Sequence, residues 1–99
     1  MTNEERMEAA FMAVVNKDGI HGTLAITSKP VEDHTEWWLQ FTRADGNVAG
    51  CAGGGRLTEN RTPEALGRIM GDLIVRWYKS YDDPNSNMWT AEHPKPASL

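Results

Sequence analysis

The stretch TEWWLQFTR, residues 35–43, decides the fold. Trp37, Leu39 and Phe41 take one set of alternate positions, and Glu36, Trp38, Gln40 and Thr42 take the other. A period of two marks a half-buried β-strand, because successive side chains leave an extended chain on opposite faces. The first set then belongs to a core. Trp38 stands out as a large apolar ring on the polar face, and a chain of 99 residues rarely buries both faces of a sheet.

The same period appears upstream. In GIHGTLAITSKP, residues 19–30, Ile20, Leu24 and Ile26 share a side with Gly22, while His21, Thr23, Ala25 and Thr27 take the other, which predicts a first strand. Pro30 to Thr35, carrying Glu32, Asp33 and His34, reads as a polar loop. Downstream, Asp45-Gly46 signals a two-residue hairpin, since a type I′ turn needs positive φ at both central residues. It leads into a third strand, NVAGCAGGGRL, residues 47–57. A hairpin on that dipeptide sets Thr42 against Ala49, Gln40 against Cys51 and Trp38 against Gly53. Glycine and alanine on both faces specify such a register weakly, and the glycines leave room for an indole to lie across the neighbouring strand.

Two helices flank these strands. Thr2 and Glu5 form a capping box, and Met7, Ala10, Phe11, Val14 and Val15 recur at helical spacing, so a first helix spans about residues 3–16. Gly19 suits the left-handed position beyond its end. Thr62-Pro63-Glu64 supplies an N-cap, a proline at the first helical position and an acid at the positive end of the dipole, opening a second helix over about 63–81. Leu66, Ile69, Met70, Leu73, Ile74 and Trp77 form its apolar stripe, and Glu64, Arg68, Asp72 and Arg76 an exposed ladder of alternating sign. Gly67 and Gly71 together cost roughly 2 kcal/mol of helix propensity, so another backbone should approach them closely. The first helix through Ala9, Ala10 or Ala13 fits that role, and so does a second copy of the chain.

The expected architecture is α+β, in the order α-β-β-β-α, with a three-stranded antiparallel sheet and two helices on one face. Residues 1–81 form this single domain. Residues 82–99 form a tail without periodicity, in which Pro84, Pro94 and Pro96 prevent helix continuation and Met88 and Trp89 offer the anchors. Those two residues fit as a cover for Trp38, and so does an external partner.

Charge separates the chain into unequal parts. Residues 1–40 hold seven acids against three bases, and residues 41–99 hold seven of each, so the net charge of −4 arises in the first 40 residues. An acidic surface repels nucleic acid and membranes and steers basic protein surfaces toward it. The lone Cys51 excludes an internal disulfide framework, which points to a reducing cytoplasm. The acidic N-terminus does not read as a signal peptide, and no apolar run approaches the roughly 18 residues of a membrane span.

No catalytic constellation emerges. His21, His34 and His93 lack metal-site spacing, and no nucleophile elbow, P-loop or dinucleotide fingerprint occurs. GCAGGG, residues 50–55, lacks the GK[ST] of a phosphate loop, and the helix begins too far downstream to join it. Neither a catalytic residue, nor a cofactor, nor a metal is expected.

The plan resembles the double-stranded RNA-binding domain over residues 3–81, chiefly through GNVAGCAGGGRL followed by TPEAL. That family opens its second helix with a lysine cluster on phosphates; here the positions are Arg61, Thr62, Pro63, Glu64 and Ala65, with Glu59 just before. The resemblance therefore implies the shape without the electrostatic term for RNA. In size, charge and plan the chain is also similar to the small phage-encoded inhibitors of bacterial immunity, the anti-CRISPR proteins. That likeness implies a partner with a basic surface, a nucleic-acid-handling complex whose channel is occluded, with no direct nucleic-acid or membrane contact. Glu4, Glu5, Glu8, Glu32, Asp33 and Glu36 would steer the approach, with Trp38 and Gln40 in the contact and Trp38 the desolvated anchor. A dimerising assembly subunit and an RNA binder are the alternatives.

Overall fold

The computed structural model describes residues 1–44, 51–87, 89–92 and 94. Its elements are α1 (Asn3–Lys17), β1 (Gly22–Val31), β2 (His34–Arg43), β3 (Cys51–Arg56) and α2 (Pro63–Asp82). The strands form one antiparallel sheet in the order β1-β2-β3. The α+β class and the α-β-β-β-α order are those expected from the sequence. Both helix starts are also as read: Thr2 and Glu5 cap α1 reciprocally, Thr62 caps α2 through the Ala65 amide, and Gly19 takes a φ of +75°.

The helices lie side by side and parallel. Arg6 of α1 grips Glu64 at the start of α2 with two hydrogen bonds, Nε to Oε2 and Nη2 to Oε1, the latter 2.7 Å. At the other end, Lys79 of α2 reaches Asp18 at 3.2 Å. Gly67 and Gly71 make the close pairing possible. A Cβ on Gly67 would lie 2.4 Å from the Met7 carbonyl oxygen and 3.1 Å from the Ala10 Cβ; one on Gly71 would lie 2.9 Å from the Val14 Cβ. The backbone expected to approach the glycines is thus α1, through Met7, Ala10 and Val14, while Ala9 and Ala13 are exposed.

Between helices and sheet, Met7, Phe11, Val15, Leu39, Phe41, Leu66, Met70, Ile74, Val75 and Tyr78 make the buried core. Phe41 sits at its centre, edge-on to Phe11 at 5.4 Å and to Tyr78 at 6.2 Å between ring centroids. Edge-to-face pairs align the positive rim of one ring with the negative face of another. Trp37 packs on this cluster from the same side of β2.

The structure corrects several expectations. The segment 30–35 is not a polar loop: β1 and β2 run on to pair Val31 with His34, leaving Glu32 and Asp33 as the turn, with Glu32 at φ +50°. In α2, Ile69 and Leu73 are 44% and 46% exposed, and Val75 and Tyr78 are buried instead. Because α1 seats on the glycines, the buried arc of α2 is centred on small residues and turns away from the larger Ile69 and Leu73. Glu64 leaves the expected ladder for Arg6.

The β3 register also differs by one residue. Trp38 pairs with Gly54, Gln40 with Ala52 and Glu36 with Arg56. A shift of one exchanges the faces of a strand. In the observed register Arg56 shares the outer face with Glu36 and Trp38, while Leu57 packs against the core, an arrangement the expected pairing would reverse. The proposed Asp45-Gly46 turn lies outside the described residues. A Cβ on Gly54, the partner of Trp38, would meet the Trp37 carbonyl oxygen at 2.1 Å, so the backbone of β2 excludes any side chain there.

Trp89 of the tail folds back onto the end of α2. Trp89 Nε1 donates to the Asp83 carbonyl oxygen at 3.1 Å, and its ring stands edge-on to Tyr81, which stacks on Trp77. Met88 lies outside the described residues. Trp89 is therefore anchored at the end of α2, and of the two covers open to Trp38, the tail or a partner, it does not supply the first.

Candidate functional site

The helices cover the sheet face that carries Trp37, Leu39 and Phe41. The opposite face carries Thr23, Ala25, Thr27 and Lys29 from β1, His34, Glu36, Trp38, Gln40 and Thr42 from β2, and Gly54 and Arg56 from β3, by the alternation of the paired strands. Trp38 lies near the middle of this face, between Thr27 and Gly54, and is 48% exposed. No buried polar or charged residue occurs in the core among the described residues, so polar chemistry is confined to the surface.

Around Trp38 the face is hollowed. His34, Glu36, Trp38, Gly54, Gly55, Arg56 and Arg61 line a depression of about 330 Å³. Gly54, the outer-face position opposite Trp38, carries no side chain. Arg61 is set in place by a tight turn in which Thr58 and Arg61 exchange backbone hydrogen bonds of 3.1 Å. Its Nη1 stands 3.4 Å from where a Cβ on Gly55 would be, a position that Leu66 also meets at 3.6 Å, so the guanidinium lies against β3 on the side of Trp37.

At the turn end of the face, His34 stands between two carboxylates, with Nδ1 at 3.0 Å from Asp33 Oδ1 and Nε2 at 3.9 Å from Glu36 Oε1. The bond with His34 holds the Asp33 carboxyl below its ordinary range. Among the described residues no group of three or more histidine, cysteine or acidic side chains is arranged to hold a metal ion. His93 lies outside them.

The eight residues expected at a partner interface divide between two layers. Glu32, Asp33, Glu36, Trp38 and Gln40 come together on the outer face and its turn. Glu4, Glu5 and Glu8 sit on α1, on the other side of the sheet. Glu5 is committed to the capping box, whose hydrogen bonds with Thr2 lower its pKa. A flat partner surface can touch Trp38 or these three acids but not both groups.

Sequence reading missed Arg56 and Arg61. The pairing of Glu36 with Arg56 was hidden by the one-residue register error, and Arg61 comes near β3 only through the turn preceding α2. At the opposite end of the domain, Asp18, Gly19, Ile20, His21, Arg43, Ala44 and Asp82 line a second depression. Its charges are already matched there, Asp18 by Lys79 and Asp82 by Arg43 at 2.9 Å. No family model, curated protein or solved structure matches the chain. No helix among the described residues is long and apolar enough to cross a membrane.

Proposed function

We propose that the chain is a non-enzymatic protein-binding module that docks through the outer face of its sheet, a phage-type inhibitor occluding the nucleic-acid-binding surface of a host defence complex. The observation that carries this reading is Trp38, 48% exposed in the middle of a face that the chain's own helices do not cover. A tryptophan in such a position contributes large contact area at low conformational-entropy cost and is a frequent hot spot of protein interfaces. Glu32 and Asp33 at the neighbouring turn supply the acidic rim that would steer a basic surface to it, and the acids of α1 extend the field without touching the partner.

The test is retention from a bacterial lysate on the immobilised chain and on Trp38→Ala, with mass spectrometry of the bound fraction. A nucleic-acid-handling protein retained by the first and lost from the second, in competition with its nucleic acid, is the expected outcome. Equal retention by both forms would remove Trp38 as the anchor. Sedimentation at micromolar concentration separates this reading from a dimerising subunit, for which the glycines of α2 offer no free surface because α1 occupies them.

A further inference from the structure

The side of the domain bordered by β3 brings two unfilled surfaces together. β3 is an edge strand, paired with β2 on one side, and among the described residues no backbone hydrogen bond reaches its other side. Such an edge presents a row of N–H and C=O groups to which a further strand can pair. Above it, Ile69 and Leu73 of α2 are 44% and 46% exposed. They follow Gly67 and Gly71 by two residues, about 200° round the helix, and so point away from α1, which is seated on the glycines. α2 lies over β3 at Leu66, whose Cδ1 is 3.6 Å from where a Cβ on Gly55 would be. The free edge and the two aliphatic side chains therefore share one side of the molecule.

The opposite side is guarded. The free edge of β1 carries Lys29 and Pro30, both of which hinder edge pairing, and α1 above it bears Glu4, Glu5 and Glu8. β3, CAGGGR, holds neither proline nor lysine, and Arg56 at its last position is its one charge. Every fourth residue along the outer side of α2 is apolar: Ala65, Ile69, Leu73 and Trp77. No carboxylate lies in either set, so here two copies of a chain of net charge −4 can meet without setting acids against each other.

We infer that two copies of the chain associate through this side about a two-fold axis, β3 pairing antiparallel with β3 of the second copy while Ile69 and Leu73 meet the same residues across the axis. A strand edge is its own complement under such an axis, because antiparallel pairing is the relation that the axis imposes. The two aliphatics are self-complementary as well: when two copies of α2 run antiparallel, Ile69 of each falls against Leu73 of the other. A strand so rich in glycine has few side chains with which to select a foreign segment, since specificity in strand addition comes from alternate side-chain pockets. Six strand residues and two aliphatic side chains make a small interface, of the class below about 1,200 Å² that forms transiently, so the dissociation constant should be about 100 µM. The axis stands perpendicular to the sheet, which places both outer faces, each with its Trp38, on one side of a continuous six-stranded sheet. The inference does not depend on the protein-binding reading; where both hold, the dimer is a bivalent module.

The test is sedimentation equilibrium of the intact chain from about 5 µM to about 1 mM, with amide hydrogen exchange of residues 51–56 followed over the same range. The mass should pass from monomer to dimer, and alternate amides of β3 should exchange more slowly as the dimer forms. Added salt should strengthen the association, because it screens the repulsion between two acidic chains while the contact itself is backbone and hydrocarbon. Ile69→Lys and Leu73→Lys, both at exposed positions, should each weaken it by about tenfold or more, since every substitution enters the dimer twice and sets an ammonium in an apolar contact. Circular dichroism of these variants should stay native. Trp38→Ala should leave the association unchanged. A monomer at every concentration overturns the inference, and so does a dimer that survives both lysine substitutions or is lost in Trp38→Ala, which would mean that the copies meet through their outer faces. Protection of the β3 amides that does not vary with concentration overturns it too, for the chain itself would then fill the edge.

Discussion

Trp37 and Trp38 are adjacent in sequence and opposite in circumstance. Trp37 packs against a buried cluster in which Leu39 and Phe41 are almost wholly shielded, and Trp38 looks outward over glycine and threonine. The face beneath the helices is closed by a largely apolar core, the Tyr78 ring included, with no other polar or charged residue buried among the described residues; the outer face is polar and hollowed, with Arg56 opposite Glu36. The comparison teaches that in so small a domain one sheet face carries stability and the other is free to carry recognition.

The sharpest way to break the contrast is on the inner face. Phe41→Ala removes the ring that joins Phe11 to Tyr78 and should cost about 3–5 kcal/mol. That is much of the stability of a domain this size, and chemical denaturation should show a large loss in midpoint. Trp37→Ala acts on the same face and should cost roughly 3–5 kcal/mol, toward the lower end because Trp37 is only partly buried. The outer counterpart, Trp38→Ala, should cost about 1 kcal/mol or less by the same measurement, as expected for a surface site. If Trp38→Ala unfolds the domain as readily as Trp37→Ala, the division of labour between the faces is wrong.

The helix seam gives a smaller test. Gly67→Ala places a methyl 2.4 Å from the Met7 carbonyl oxygen, so the helices must part. Overpacking of this kind costs about 1–3 kcal/mol, partly offset by roughly 1 kcal/mol of gained helix propensity. Gly71→Ala meets a side-chain methine instead and should be the milder of the two by thermal unfolding.

The smallest effect is one of pH. The bonds from Arg6 hold the Glu64 carboxyl below its ordinary pKa, as Thr2 does for Glu5 and His34 for Asp33. A carboxylate whose pKa is lower in the folded than in the unfolded chain binds fewer protons when folded. Its stabilising contribution is complete above the ordinary carboxylate value of about 4 and disappears as pH falls through the lowered folded value. Stability should therefore be level near neutrality and decline below about pH 4.5, and Glu64→Gln should make that decline shallower. A decline of unchanged slope in Glu64→Gln would mean that the ion pair between the helices contributes nothing to the acid limb.

Much of this was legible in the residues. The alternation in 36–42 placed Trp37 and Trp38 correctly, and the capping residues Thr2 and Thr62 located both helix starts. What escaped reading depends on contacts between segments distant in sequence. Gly67 and Gly71 carry no apolar signal, so the periodicity of α2 was drawn toward Ile69 and Leu73 and away from the face that α1 covers. β3 offers little contrast between its faces, and only the placement of Arg56 outward and Leu57 inward selects its register. Glu32 in the left-handed region is a costly choice for a turn and gave no glycine or asparagine to announce it. The hollow was hidden for the same reason as the register, since Arg56 and Arg61 join Trp38 only after β3 is correctly aligned.

The parallel seating of α1 on α2 bears on how the chain is made. Arg6 and Glu64 are 58 residues apart, so the partner of the first helix is synthesised well after it. Throughout that interval Met7, Phe11 and Val15 have the sheet as their only internal cover, and no early local contact can substitute for α2. Contacts of such sequence separation slow folding and leave apolar surface open to capture while synthesis proceeds. A fragment ending before Pro63 should consequently show little cooperative structure by circular dichroism and bind a hydrophobic dye. Domain completion would then be an all-or-none event awaiting the emergence of α2.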